Sequence, residues 1–409
     1  MRNTVLCAAL VILSCGFSVG QKYKVIWSFG GSPNDGGQPP EGLIADGAGN
    51  LYGTTLVGGN SAANCPDPNY LGCGTVYELS PSFNGTWTEK ILYEFCVSGQ
   101  PNDCPDGWGP NTGLIMDSSG NLYGTTSSGG AYEEGTVFKL SPPPAPGGSW
   151  VEKVLWSFCS EGYPCPNGNG PQSQLVMDDA GNLYGTTSGG CGVVFEVTPT
   201  PDGATENLLY SFGAGVYDSC NPRSGVSFDG FGNLFGTTDY GGKNDLGTVY
   251  ELSPSFSGNW TETILYSFGL TAGEPVSEVR FDSKGNLYGS TTFRKSALFR
   301  LIPNNQGKWR ISFLEMDTVV GTNSATDPLM LSGTIYGATA AGGVHNGGTV
   351  FRVRGTKQTV IHSFCSEPNC TDGDEPFFGG ALTVVGGKLY GTTAHGGNSD
   401  QGVVFEITP

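Results

Sequence analysis

A pentapeptide returns seven times along this chain. It reads LYGTT at residues 51–55, 122–126 and 183–187, LFGTT at 234–238, LYGST at 287–291, IYGAT at 335–339 and LYGTT at 389–393. The copies start 71, 61, 51, 53, 48 and 54 residues apart. Self-similarity at this period restricts the fold to a solenoid, a propeller or an array, because each unit buries its apolar face only against its neighbours. It restricts function as well: when every module is alike, chemistry must come from departures from the repeat.

The second copy shows the unit most clearly. Residues 113–117 form a short apolar run, 118–120 a glycine-bearing turn, and 121–126 a second run that closes on Gly129-Gly130. Residues 135–142 end in proline, and 150–158 carry three aromatic residues. Alternating, aromatic-rich runs with tight connections predict an antiparallel four-stranded meander, and such a sheet repeated about an axis is a propeller blade. Glycine (67) and proline (26) punctuate these runs, and no long segment has helical spacing. The fold class is all-β.

The ends supply the closure. Residues 24–29 (KVIWSF) read as a fourth strand with no blade before it, and 402–407 (GVVFEI) as a third strand with no fourth. Pairing them closes the ring and removes two exposed sheet edges. The expectation is a seven-bladed β-propeller in one domain, residues 21–409, whose last blade is completed by residues 23–29.

Residues 1–20 read as a signal peptide: Arg2, an apolar core at 5–13, and small residues Ser18-Val19-Gly20 before Gln21. A lipoprotein-type reading with Cys15 lipidated is the alternative. No other segment has the length and apolarity of a membrane span. The expected location is extracellular or in the cell envelope. The net charge of −18 argues against nucleic acid as a partner, which requires a basic footprint.

Ten cysteines follow the leader, an even number in an exported chain where disulfides persist. Cys65/Cys73, Cys96/Cys104, Cys159/Cys165 and Cys365/Cys370 are close pairs in Gly/Pro-rich loops, leaving Cys191 and Cys220 to join each other. In the propeller reading, all ten fall in the loops between second and third strands or between blades, which share one face. Three histidines without metal-ligand spacing argue against zinc.

The recurring columns D-x-x-G-N-L-Y-G-T-T, G-G, G-T-V-F/Y-x-L-S-P and W-x-E-x-x-L-Y-S-F resemble the bacterial tandem repeat known as GloVer, found in choice-of-anchor proteins. The resemblance spans essentially the whole mature chain and implies an exported or surface protein. It brings no activity and no catalytic residue. It also implies a C-terminal sorting tail, a pattern this sequence departs from by stopping at Pro409, at the end of a strand.

Departures from the repeat are few. Asp46, Asp117, Asp178, Asp229 and Asp282 recur before the first hairpin glycine and read as turn residues whose carboxylates accept backbone N–H bonds. Acid-rich interblade loops suit calcium, a hard oxygen-seeking cation, with Asp372, Asp374 and Glu375 as the best ligand set; nothing in the sequence requires a cofactor. Trp87, Trp150, Trp260 and Trp309 recur and read as packing. Trp108 does not recur, and on the cysteine-bearing face an exposed tryptophan would offer a sugar-stacking platform.

In the innermost-strand column Ile44, Ile115, Val176, Ser227, Arg280, Met330, Thr383, the outlier is Arg280, with Glu278 two residues earlier on the same strand face. No second acidic residue stands in these columns, and His345, His362 and His395 occupy unrelated contexts. No catalytic constellation emerges. The sequence therefore reads as an exported binding scaffold with a glycan or a surface protein as partner. The alternatives are a carbohydrate-active enzyme using the central channel, or a structural envelope protein without a specific ligand.

Overall fold

The repeat becomes seven antiparallel sheets around a central axis. The computed structural model describes residues 22–409 except 61–64, 67–70, 98–102, 146, 202, 216, 271, 294–295, 305–306, 318–319, 325 and 377–380. The expected signal peptide and Cys15 lie outside the described residues. Blade one runs outward through Ile44–Ala45, Leu51–Thr55, Thr75–Pro81 and Trp87–Glu94. Blades two to six repeat this order, with short extra strands Gly273–Pro275 and Thr322–Ser324 in blades five and six. Among the described residues the only helical turn is Pro368–Cys370.

Blade seven is built from both ends of the chain. Thr383–Val385, Lys388–Thr393 and Val403–Thr408 are completed by Lys22–Ser28, which pairs with the last strand from Lys22↔Thr408 to Ser28↔Val403. The split blade expected from the sequence therefore closes the ring.

The pentapeptide has a physical account at each position. Its leucine is fully buried in the six copies that carry one. Its glycine lies opposite a third-strand aromatic, Gly53↔Tyr77 in blade one, whose ring tip reaches over the glycine. A Cβ on Gly53 would sit 2.5 Å from Tyr77 Oη, and the other six glycines face the same obstruction at 2.3–2.8 Å. The last threonine bonds its third-strand counterpart, as in Thr55 Oγ1–Thr75 Oγ1 at 2.8 Å and Thr126 Oγ1–Thr136 Oγ1 at 2.8 Å.

The threonine before it reaches the next blade. Thr54 Oγ1 donates to Thr112 O at 2.8 Å, Thr186 Oγ1 to Ser224 O at 3.0 Å, and Thr392 Oγ1 to Glu41 O at 3.1 Å. The last of these joins blade seven to blade one.

Blades also meet through rings. Phe29, Phe95, Phe158, Phe212, Phe268 and Phe364, at the ends of outer strands, each pack on the third-strand aromatic of the following blade, with centroids 5.0–5.3 Å apart. Only the junction between blades five and six lacks the pair, because Met316 stands in the phenylalanine's place.

One register expectation is corrected. Leu329, not Met330, is the blade-six equivalent of Arg280: Leu329 pairs with Tyr336 as Arg280 pairs with Tyr288. The first hairpin of blade six, like that of blade seven, is one residue shorter than those of blades one to five, which shifts the alignment by one and reverses which face each side chain occupies.

Candidate functional site

All ten cysteines pair as the spacing predicts: Cys65–Cys73, Cys96–Cys104, Cys159–Cys165, Cys191–Cys220 and Cys365–Cys370. Every bridge lies in loops that follow second or outer strands, so all five staple one face. Cys96, Cys159 and Cys365 directly follow the outer-strand phenylalanine and adopt positive φ of 57–67°, turning the chain sharply into the disulfide loop.

The acidic loops of this face are occupied by structural work. Asp35 accepts Gly30 N–H at 2.6 Å and Gly36 N–H at 2.7 Å. Asp106 accepts Tyr93 O–H at 2.8 Å and Cys96 N–H at 3.0 Å. Asp372 accepts Ser366 N–H and O–H and Glu367 N–H within 3.1 Å. Its carboxylate is turned inward, 4% exposed, while Glu375 is exposed and pairs loosely with His395 at 3.9 Å. Asp372, Asp374 and Glu375 do not bring one carboxylate oxygen each within 4.8 Å of one another.

A second acid faces several of these aspartates from the outer strand of the same blade. Burial first, then the nearby Asp106, pushes the Glu152 carboxyl up to about 8. Burial and Asp35 push Glu89 up to about 9. The recurring Trp-x-Glu of the sequence is thus half of a buried acid pair, and the other half is the loop aspartate.

The repeated turn aspartates behave as expected. Asp46 accepts Ala48 N–H and Asn50 N–H at 2.9 Å, Asn50 Nδ2–H at 2.8 Å and Tyr52 O–H at 3.2 Å. Burial alone would raise its pKa, but these bonds outweigh it and hold the carboxyl below its usual range.

Trp108 is half-buried against the core cluster of Cys65, Cys73 and Cys96, and its backbone bonds Ser128. It does not stand free as a platform. The freely exposed aromatic of this face is Tyr163, 93% exposed at the tip of the loop closed by Cys159–Cys165; Tyr217, 63% exposed, lies three residues before Cys220. The available signal was a non-repeating aromatic between two bonded cysteines.

The histidines do not converge. His362 stacks on Tyr23 with centroids 3.6 Å apart, Nε2 lying 3.2 Å from Asp372, and the His395 backbone pairs with Asp374. Trp87 packs edge-on against Tyr390 of the preceding blade, and Trp309 against Phe235, as packing residues do.

The channel holds more charge than the sequence suggested. Arg280 Nη2 lies 2.7 Å from Glu278 Oε2 and 3.2 Å from Asp327 Oδ2, and Glu278 N–H donates to Asp327 Oδ1 at 2.8 Å. Glu41, from blade one, accepts Gly113 N–H, and its carboxyl is pushed up by burial and by the charges of Asp327 and Glu278 and pulled down by Gly113 N–H and by Arg280. Asp327 occupies Glu278's column in blade six, where the one-residue register shift had hidden it.

Burial pushes the Glu278 carboxyl up to about 7, with Arg280 pulling it down and Asp327 pushing it up. Ser227 Oγ lies 2.8 Å from Glu278 Oε1 and 2.5 Å from Val279 O. One hydroxyl hydrogen cannot serve both acceptors, and a proton on Glu278 resolves the conflict.

Residues 16–215 match the family model described as the Gloeobacter/Verrucomicrobia repeat. No curated protein matches the sequence. Among solved structures the chain is similar to a "putative 6-phosphogluconolactonase" from Bacteroides uniformis ATCC 8492, at 13% identity and a TM-score of 0.49, covering 79% of this chain and 84% of that one.

Proposed function

This chain is a tandem-repeat protein of the Gloeobacter/Verrucomicrobia type, and from that premise we propose that it is an exported binding scaffold whose disulfide-stapled face recognises carbohydrate. The seven-bladed repeat fold supports a scaffold role, and the five disulfides are consistent with an oxidising location. No helix among the described residues is long and apolar enough to cross a membrane.

One observation carries the carbohydrate reading: Tyr163 stands 93% exposed on a loop closed by its own disulfide. Holding an aromatic out of its core costs apolar contact, and fixing its loop reduces the entropy lost on binding. A rigid, amphipathic ring is the usual platform for the apolar face of a sugar. A glycan array probed with the disulfide-intact protein, with calcium and with chelator, tests this. A specific hit weakened about tenfold or more in Tyr163→Ala supports the reading. A clean negative removes it and favours a structural envelope role.

The channel supports a second reading, a carbohydrate-active enzyme. The observation behind it is Glu278, titrating near 7 beside Arg280, Asp327 and Glu41, since glycoside hydrolysis uses paired carboxyl groups. Glycan cleavage abolished by Glu278→Gln would establish it; cleavage that survives the substitution would exclude Glu278 as its acid.

A further inference from the structure

The junction between blades five and six is built differently from the others, and the differences converge on one cavity. Where the incoming blade brings a tryptophan, the third-strand residue of the preceding blade is glutamate: Glu406 before Trp87, Glu78 before Trp150, Glu196 before Trp260 and Glu251 before Trp309. The tryptophan covers the second-strand aromatic, and where that aromatic is tyrosine the glutamate can accept its hydroxyl, as Glu196 does from Tyr184 at 2.8 Å and Glu406 from Tyr390 at 2.9 Å. Where blade three brings Ala204 instead, the preceding residue is Lys139, lying over the Tyr123 ring at 5.6 Å.

Blade six goes further. Its last hairpin closes from Arg354 to Lys357 through Gly355 and Thr356 alone, so Thr356 stands where the tryptophan would be and the longer loop of other blades is missing. Arg300 of blade five replaces the glutamate, with its guanidinium 5.6 Å from the Tyr288 ring centre.

The result is a cavity of about 860 Å³ between the two blades, on the face opposite the disulfides. That volume lies within the range of small-molecule sites, about 300–1,000 Å³. Phe281, Phe313, Leu314 and Met330 supply apolar walls, and Thr356 lines one side. Arg300 Nε is buried without a hydrogen-bond partner among the described residues, and Lys284 is exposed at the rim. The acid in the lining, Asp282, already accepts bonds from Lys284 N–H, Asn286 and Tyr288. In a chain of net charge −18, the uncommitted charges of this cavity are both positive.

We infer that this cavity is a binding site for a small organic carboxylate with an apolar body. The carboxylate pairs with Arg300, whose planar fork suits that geometry, and the body fills the space the tryptophan vacates. The site is independent of the disulfide face.

The test is calorimetric titration of the full disulfide-intact protein with 2-naphthoate and with its neutral counterpart 2-naphthamide. One site per chain is expected for naphthoate. Arg300→Gln weakens naphthoate about tenfold or more, the scale of a lost charge-assisted bond, and leaves naphthamide within about twofold. Thr356→Trp restores the missing side chain and abolishes binding of both. If that variant fails to fold, the two ligands compared on Arg300→Gln decide alone. No naphthoate binding at millimolar concentration, or binding indifferent to Arg300→Gln, overturns the inference.

Discussion

Raising the pH should destabilise this protein, and Glu152 makes the effect measurable at one residue. Glu152 Oε1 and Asp106 Oδ1 are both buried without hydrogen-bond partners, so a charge on Glu152 is met by burial and by the neighbouring acid rather than by a donor. Burial and the neighbouring Asp106 raise the Glu152 carboxyl from 4.5 to about 8, so between those values the folded state binds a proton that the unfolded chain has released. Its contribution to stability is therefore present in full below about pH 4.5 and is lost progressively as the pH rises to about 8. At face value a difference of about 3.5 pH units amounts to ~5 kcal/mol at about 1.36 kcal/mol per unit. Discounted by half for water reaching an outer strand, and counted only from about pH 5.5 upward, it becomes ~2 kcal/mol.

A glutamine at this position mimics the protonated acid, so Glu152→Gln should raise stability by ~2 kcal/mol more at about pH 8.5 than at about pH 5.5. Urea unfolding under non-reducing conditions, followed by tryptophan fluorescence at both pH values, measures the difference. Equal destabilisation at the two pH values, or an unchanged gap between them, would refute the buried-proton argument.

Two further outcomes follow from the repeat itself. Gly185→Ala places a methyl group 2.6 Å from Phe195 Cζ and 2.9 Å from Leu175 Cδ2, and should lower stability by ~2–3 kcal/mol in the same urea assay, the scale of overpacking a core. Replacing both Cys191 and Cys220 by serine opens a separation of 29 residues and should cost ~3–4 kcal/mol, against ~2 kcal/mol for the five-residue separation of Cys365 and Cys370. The reverse order in thermal unfolding would reject the loop-entropy account for these bridges.

What the sequence made legible was whatever recurs. The pentapeptide glycine, the turn aspartates and the split last blade each repeat or complete a pattern, and each has one local cause: a ring over the backbone, a carboxylate closing a hairpin, two half-blades that need each other. The cysteines were legible for a different reason, since short spacing within interblade loops leaves few partners in reach. The setting of Trp108 is not legible in this way, because exposure is a tertiary property. A loop residue on the right face can still turn its ring into the cysteine core, as this one does.

The residues that escaped share a single cause: they are legible only against a correct register. Asp327 was hidden by a hairpin one residue short, which exchanged it with Pro328 in the column of Glu278. Glu41 stands in a column held in blades two to six by Thr112, Ser173, Ser224, Ser277 and Thr326, where small hydroxyl residues bond within or between blades and a carboxylate reaches the channel instead. The cavity at blades five and six is harder still, because its signal is an absence: Thr356 gains meaning only once it is known to stand where Trp309 stands. The charge of the preceding third strand makes that absence interpretable. Glutamate accompanies Trp87, Trp150, Trp260 and Trp309, and a cation accompanies Ala204 and Thr356, so the ring of the second-strand aromatic is covered by an indole or by a cation. At Tyr123 and Tyr288 alike the cation lies 5.6 Å away. Covering the ring therefore explains why a cation is there; the open space beside Arg300 where the tryptophan is missing is what covering the ring leaves over, and it is the part that a ligand would fill.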